Sequence, residues 1–204
     1  MTRAQPAAAA LVFSLAASGA VAEGPARLLA DFEAEPSGDP SGQAIVRAPS
    51  TAVVRLVTDG EGHALEVSGR QAPSGLAGIR VSFRDARGRA APVDSSGHDY
   101  LTFRIRSTGG PSRLQVRIAD AVAAARREDV DAGELTRFLP QGVSTEWQQV
   151  AIPLGGLGVN RKALAALAVL VTDPSDFRLA IDDVALKREP EDALPPPRRR
   201  SGVP

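Results

Sequence analysis

The chain has no cysteine, and only 4% of its 204 residues are aromatic, with a single Trp, a single Tyr and two His. Without cysteine there is no disulfide framework, no thiolate metal site and no cysteine nucleophile. His63 and His98 both stand beside glycine and form no HExxH or paired spacing, so a catalytic zinc lacks its ligands. An excess of charge of either sign is missing too: 24 Lys and Arg meet 24 Asp and Glu, for a formal net charge of zero. No global field draws this protein to nucleic acid or to an anionic membrane. No serine sits in a G-x-S-x-G elbow, and Gly156-Leu157-Gly158 lacks the third glycine and the strand-to-helix setting of a dinucleotide loop. Carboxylates paired for glycoside hydrolysis can converge from distant strands, but no spacing singles out such a pair.

What is present starts with an apolar stretch at 7–17, preceded by Arg3 and followed by Ser18-Gly19 and Ala20-Val21-Ala22 before Glu23. This is the charged start, apolar middle and A-x-A cleavage site of a secretory signal, with cleavage expected after Ala22. The stretch falls short of the roughly 20 residues that cross a bilayer, and no cysteine follows it to carry a lipid. The expectation is a protein exported to a periplasm or the cell exterior and not inserted in a membrane. About 180 residues remain, enough for one domain that buries roughly 70% of its unfolded surface without staples. The expected organisation is a signal peptide at 1–22, one domain at 23–188 and a disordered tail at 189–204. In that tail Pro195-Pro196-Pro197 precedes Arg198-Arg199-Arg200, a composition that cannot form a core.

Between these ends, runs with period-two alternation recur between clusters of Gly, Pro, Ser and Asp, the pattern of an all-β sandwich or barrel. The alternation predicts strands at 27–32, 52–58, 63–68, 78–84, 100–107, 113–119, 148–153, 166–172 and 177–187. Asp59-Gly60-Glu61-Gly62 and Gly109-Gly110-Pro111 read as hairpin turns. In the strand at 100–107, Leu101, Phe103 and Ile105 point one way and Arg104 and Arg106 the other. In the strand at 113–119, Leu114, Val116 and Ile118 oppose Gln115 and Arg117. Joined as the hairpin their turn implies, the two strands place Arg104, Arg106, Gln115 and Arg117 on one outer face. That polar stripe is either a ligand surface or the solvated face that antiparallel sheets commonly keep. The alanine-rich, charged stretch at 121–137 reads as a short helix or a long loop. Asn160 is positioned to cap a helical turn before the strand at 166–172.

The acidic run Glu128, Asp129, Asp131 and Glu134 fails the EF-hand pattern, with Gly133 where a ligand is needed, and reads as a solvated loop. Asp31-Phe32-Glu33 and Asp182-Asp183 are paired acids in strands, poorly compatible with burial unless neutralised. A calcium ion, salt bridges or plain solvent each answers that need.

Three segments together resemble a known family. Tyr100-Leu-Thr-Phe-Arg-Ile-Arg-Ser107 before a Gly-Gly turn, Trp147-Gln-Gln-Val-Ala-Ile-Pro-Leu154 and Ala180-Ile-Asp-Asp-Val-Ala-Leu186 look like the galactose-binding-like jelly roll. The opening Asp31-Phe-Glu33 belongs to the same pattern. The similarity is nearest to family 11 carbohydrate-binding modules and to the complex I intermediate-associated protein 30 domain. It implies a jelly-roll β-sandwich of two antiparallel sheets and a non-catalytic binding role. It further implies a structural calcium held by Glu33 and Asp182 with Asp31 beside them, and a core position for Trp147. The scarcity of aromatics departs from a typical sugar binder, because exposed rings usually cover the apolar face of a pyranose. A glycan site built instead from Tyr100, Arg104, Arg106, Gln115 and Arg117 uses guanidinium forks and amides. The alternative is a protein-interaction or assembly module on the same scaffold, with the 121–137 stretch and the Pro/Arg tail as its contacts.

Overall fold

The computed structural model describes residues 26–30, 32, 44–47, 52–59, 62–70, 77–83, 89, 91–109, 113–126, 128–173 and 175–191. The expected signal peptide, Asp31, Glu33 and the Pro/Arg run at 195–200 lie outside them. Among the described residues there are eleven strands, one short helix and two single 3-10 turns. The strands are β1 (Ala26–Ala30), β2 (Ala44–Arg47), β3 (Ala52–Asp59), β4 (Gly62–Arg70), β5 (Ala77–Phe83) and β6 (Tyr100–Gly109). After β7 (Leu114–Asp120) come helix α1 (Ala121–Arg126), β8 (Val130–Glu134), β9 (Gln148–Pro153), β10 (Leu164–Val171) and β11 (Asp176–Lys187).

Two antiparallel sheets result. The first runs β3-β4-β11-β6-β9 with β1 also on β11, and the second runs β2-β5-β10-β7-β8. All pairings are antiparallel, so the expected jelly-roll sandwich is the observed fold. The long β11 shares one edge between two partners. Asp176 to Ile181 pairs with β4, and Val184 to Lys187 pairs with β1. The handover falls at a bulge, where Asp183 takes φ 51°, a left-handed conformation that aspartate tolerates better than most residues.

The core lies between the sheets and is built from the alternating apolar positions. Leu101, Phe103, Ile105, Val150, Ile152, Leu179 and Ile181 of the first sheet face Ile79, Val81, Val116, Ile118, Leu167 and Val169 of the second, all buried. Each such side chain contributes roughly 1.5–3 kcal/mol relative to exposure. Gly78 is required where it stands, because at φ 145° a Cβ would lie 2.1 Å from the Val169 carbonyl oxygen.

The β3–β4 hairpin forms as expected, with Asp59 opposite Gly62. The second expected hairpin does not form. β6 pairs with β11 and β9 in the first sheet, while β7 pairs with β10 and β8 in the second. The chain therefore passes from one layer to the other between the end of β6 at Gly109 and the start of β7 at Leu114. Both strands turn their apolar side inward, but from opposite sides of the core, so their polar sides point in opposite directions.

Candidate functional site

The split between β6 and β7 divides the expected ligand stripe in two. Tyr100, Arg104 and Arg106 stand on the outer face of the first sheet, and Gln115 and Arg117 on the outer face of the second. No single surface contains all five.

On the first face the cations are engaged within the protein. The guanidinium carbons of Arg104 and Arg106 lie 4.8 and 4.6 Å from the centroid of the Trp147 ring. Trp147 is therefore half-buried on the outer face and not a core residue. The reason is strand parity: Val150 and Ile152 face inward, Gln148 shares their parity, and Trp147 falls on the side of Gln149, which pairs with Arg104. Arg104 Nη1 also lies 3.2 Å from Asp183 Oδ2 and 3.9 Å from Asp182 Oδ2. Further across the sheet, Arg55 pairs with Glu66 at 2.6 Å, and Arg178 stands 3.7 Å from the same carboxylate. Tyr100 opens β6 opposite Lys187, whose ammonium is buried and donates to the Pro190 carbonyl at 3.2 Å and to Gln149 Oε1 at 3.4 Å.

Asp182 is 6% exposed. Its Oδ1 accepts from the Asp183 backbone N–H at 2.8 Å and its Oδ2 faces Arg104, so its burial is compensated by groups of this chain. Among the described residues no three His, Cys, Asp or Glu gather in a metal-holding cluster. Of the three expected calcium ligands Asp182 alone is described, and Asp31 and Glu33 lie outside the described residues.

The second face is built differently. Its rungs run from β5 across β10 to β7 and β8, with Arg80 opposite Ala168, Ala168 opposite Arg117, and Arg117 opposite Asp131. The adjacent rungs place Gly78 opposite Leu170 and Gln115, and Ser82 opposite Ala166 and Ala119. The middle of this face is consequently Ala166, Ala168 and Leu170 of β10, of which the two alanines are buried beneath their neighbours.

Helix α1 follows directly on the end of β7 beside these residues. Asp120 starts it: its Oδ1 accepts from the Val122 and Ala123 N–H groups at 2.9 and 2.8 Å, and its Oδ2 accepts from the Asn160 N–H at 2.9 Å. The Ala123, Asn160 and Val122 amides together hold its carboxyl below the usual aspartate range despite the opposing effect of burial. Beyond the helix Asp129 forms an ion pair with Arg80, which reaches toward it from β5. The expected solvated acidic loop is thus partly strand, since Asp131 and Glu134 belong to β8 and Asp129 is bound. Asn160 caps the 3-10 turn Arg161–Ala163 as expected, accepting from the Lys162 N–H at 3.1 Å.

On β7 and β8 Gln115, Arg117 and Asp131 form a chain of contacts. Arg117 donates through Nε and Nη2 to Gln115 Oε1 at 3.2 and 3.0 Å. Gln115 Nε2 donates to Asp131 Oδ2 at 2.8 Å, and Asp131 Oδ1 accepts from the Gly133 N–H at 2.8 Å. Both ends of the Gln115 amide are fixed, which orients Arg117. Asp131, Asp129 and Arg80 are members of this surface that the strand pattern alone did not mark, because β8 and the pairing of β5 with β10 were not legible in it.

No protein-family model matches the chain, and no curated protein matches it in sequence. The solved structures do contain similar folds. A family 30 carbohydrate-binding module of a cellulosomal cellulase of Clostridium thermocellum superposes with a TM-score of 0.54 at 18% identity, covering 72% of this chain and 91% of that one. A family 11 carbohydrate-binding module from the same organism, solved with a β-1,3-1,4-mixed-linked tetrasaccharide, gives 0.55 at 16% identity over 83% of this chain and 96% of that one. At these identities the likeness establishes the jelly-roll sandwich and nothing about the ligand.

Proposed function

We propose that this protein is an exported, non-catalytic carbohydrate-binding module whose glycan lies on the outer face of the second sheet, against Gln115, Arg117 and Asp131. The observation that carries this reading is the fixed Gln115–Arg117–Asp131 chain on a half-exposed strand pair, set in a fold shared with the family 11 and 30 modules. Oriented amide, guanidinium and carboxylate groups offer the donors and acceptors that sugar hydroxyls need. The first face supports the reading less, because Arg104 and Arg106 already stack on Trp147 and Arg104 is ion-paired. Among the described residues no helix is long and apolar enough to cross a membrane, and the sequence of 1–22 supports export.

A structural calcium held by Asp31, Glu33 and Asp182 would fasten the first strand to the β11 bulge, where Ala30 already pairs with Val184. A rise in thermal midpoint on adding calcium, absent in Asp182→Asn, supports it, and an unchanged midpoint removes it.

A glycan-array screen of residues 23–204 tests the function, with Arg117→Ala and Arg104→Ala variants alongside. Selective binding lost in Arg117→Ala and kept in Arg104→Ala supports the reading. Loss in Arg104→Ala alone moves the site to the first sheet. No binding by folded protein turns the assignment to the interaction module, with the 121–129 stretch as its first candidate contact.

A further inference from the structure

We propose that the glycan recognised at Arg117 is acidic, carrying isolated carboxylates as a uronate-containing oligosaccharide does. This rests on the glycan-binding reading above and names the ligand class of the same site.

A guanidinium has five N–H donors in a planar fork, arranged as two edges that can each hold a carboxylate. In Arg117 the edge formed by Nε and Nη2 is spent on Gln115 Oε1. The other edge, formed by Nη1 and the second Nη2 hydrogen, has no partner among the described residues. No carboxylate lies within ion-pairing distance of Arg117 among those residues. Asp131 stands opposite it in the β7–β8 register, but its oxygens accept from Gln115 Nε2 and the Gly133 N–H, and it forms no ion pair with Arg117. Arg117 is thus a fixed, half-buried cation whose open edge fits a planar carboxylate with two parallel hydrogen bonds.

Arg80 on the same rung differs, since its charge is already answered by Asp129. The contrast leaves one open cation on this rung. The carboxylates of Asp131 and the exposed Glu134 border it, which disfavours a densely charged polyanion and favours a ligand with separated charges.

What the face lacks points the same way. Tyr100 and Trp147 belong to the first sheet, and Phe32, Phe83, Phe103 and Phe177 are buried in the core. Phe138 packs against that core. Among the described residues, then, no aromatic ring stands on the outer face of the second sheet. A neutral pyranose there has no ring to stack on, and affinity must come from hydrogen bonds and charge.

The test measures binding of short galacturonate, glucuronate and mannuronate oligosaccharides, each beside its carboxyl-reduced, neutral counterpart, and of a highly sulfated oligosaccharide. The expected result is binding of a uronate form that weakens by about ten- to a hundredfold on carboxyl reduction, the scale of a hydrogen bond to a charged group. In Arg117→Gln the acidic and reduced forms should bind alike, and in Arg117→Lys the preference should shrink without vanishing. The reduced ligand tests the wild-type protein directly, so the proposal stands or falls even if a variant does not fold. Equal binding of both forms, or preference for a neutral glycan, overturns the acidic ligand and keeps the glycan module. Strongest binding to the sulfated ligand overturns the isolated-carboxylate class. No binding to any of these or to the array overturns both readings.

Discussion

The two outer faces of this sandwich carry arginines on alternate strand positions, yet they use them in opposite ways. On the first sheet Arg104 and Arg106 cover the protein's single Trp, and Arg104 neutralises the carboxylates of the β11 bulge. On the second sheet Arg117 is held by a neutral amide and keeps an edge of its fork open. A count of basic residues does not separate them. What separates structure from site is whether the partner is a charge of the same chain or an amide that leaves the charge unanswered.

One core underlies both faces, so the largest expected effect is one they share. Phe103→Ala should cost about 3–5 kcal/mol in urea denaturation and abolish both the Trp147 environment and glycan binding. Asp120→Ala should act on the second face alone. It removes the cap of α1 and leaves the Asn160 N–H without its acceptor, for about 2–3 kcal/mol. Trp147 fluorescence of the folded variant should stay unchanged.

Because the Asp120 carboxyl is depressed in the fold, its contribution is complete above the ordinary aspartate value of about 3.9. It is lost as pH falls through the lower folded value. The urea midpoint of Asp120→Asn should accordingly fall less steeply than that of the wild type as pH drops below about 4.

Smaller still is the effect expected of Arg104→Ala with Arg106→Ala, about 1–2 kcal/mol. It includes the loss of two ring contacts and of the cation facing buried Asp182. Its fluorescence should shift while glycan affinity is kept. Arg117→Gln completes the contrast, with stability changed by about 0.5 kcal/mol or less and affinity for the acidic glycan lowered to that for its carboxyl-reduced form, as calorimetry would show.

Alternation made nine strands legible because each has an apolar side that must be buried. β2 and β8 escaped it. Both are short edge strands of the second sheet, and β8 reads Val-Asp-Ala-Gly-Glu, which carries little apolar signal. Period-two alternation reports which side of a strand is buried but not which sheet the strand joins. The Gly-Gly-Pro turn after β6 was therefore compatible with a hairpin and with a crossing between layers, and the crossing is what divided the expected site. Trp147 was recoverable from its own strand: counting back from Ile152 and Val150 puts it outside, against the general preference of tryptophan for burial. The Arg80–Asp129 pair joins residues 49 positions apart, a contact that depends on the sheet order and not on any local pattern.

The central claim is that the second face, not the first, binds the ligand. Backbone and arginine side-chain NMR shifts followed during titration with the tightest array glycan test it most directly. The expected result is a set of perturbed signals centred on Gln115, Arg117, Asp131 and Gly133, with Tyr100, Arg104, Arg106 and the Trp147 indole unmoved. Shifts centred on Arg104, Arg106 and Trp147 with Arg117 silent would contradict the account.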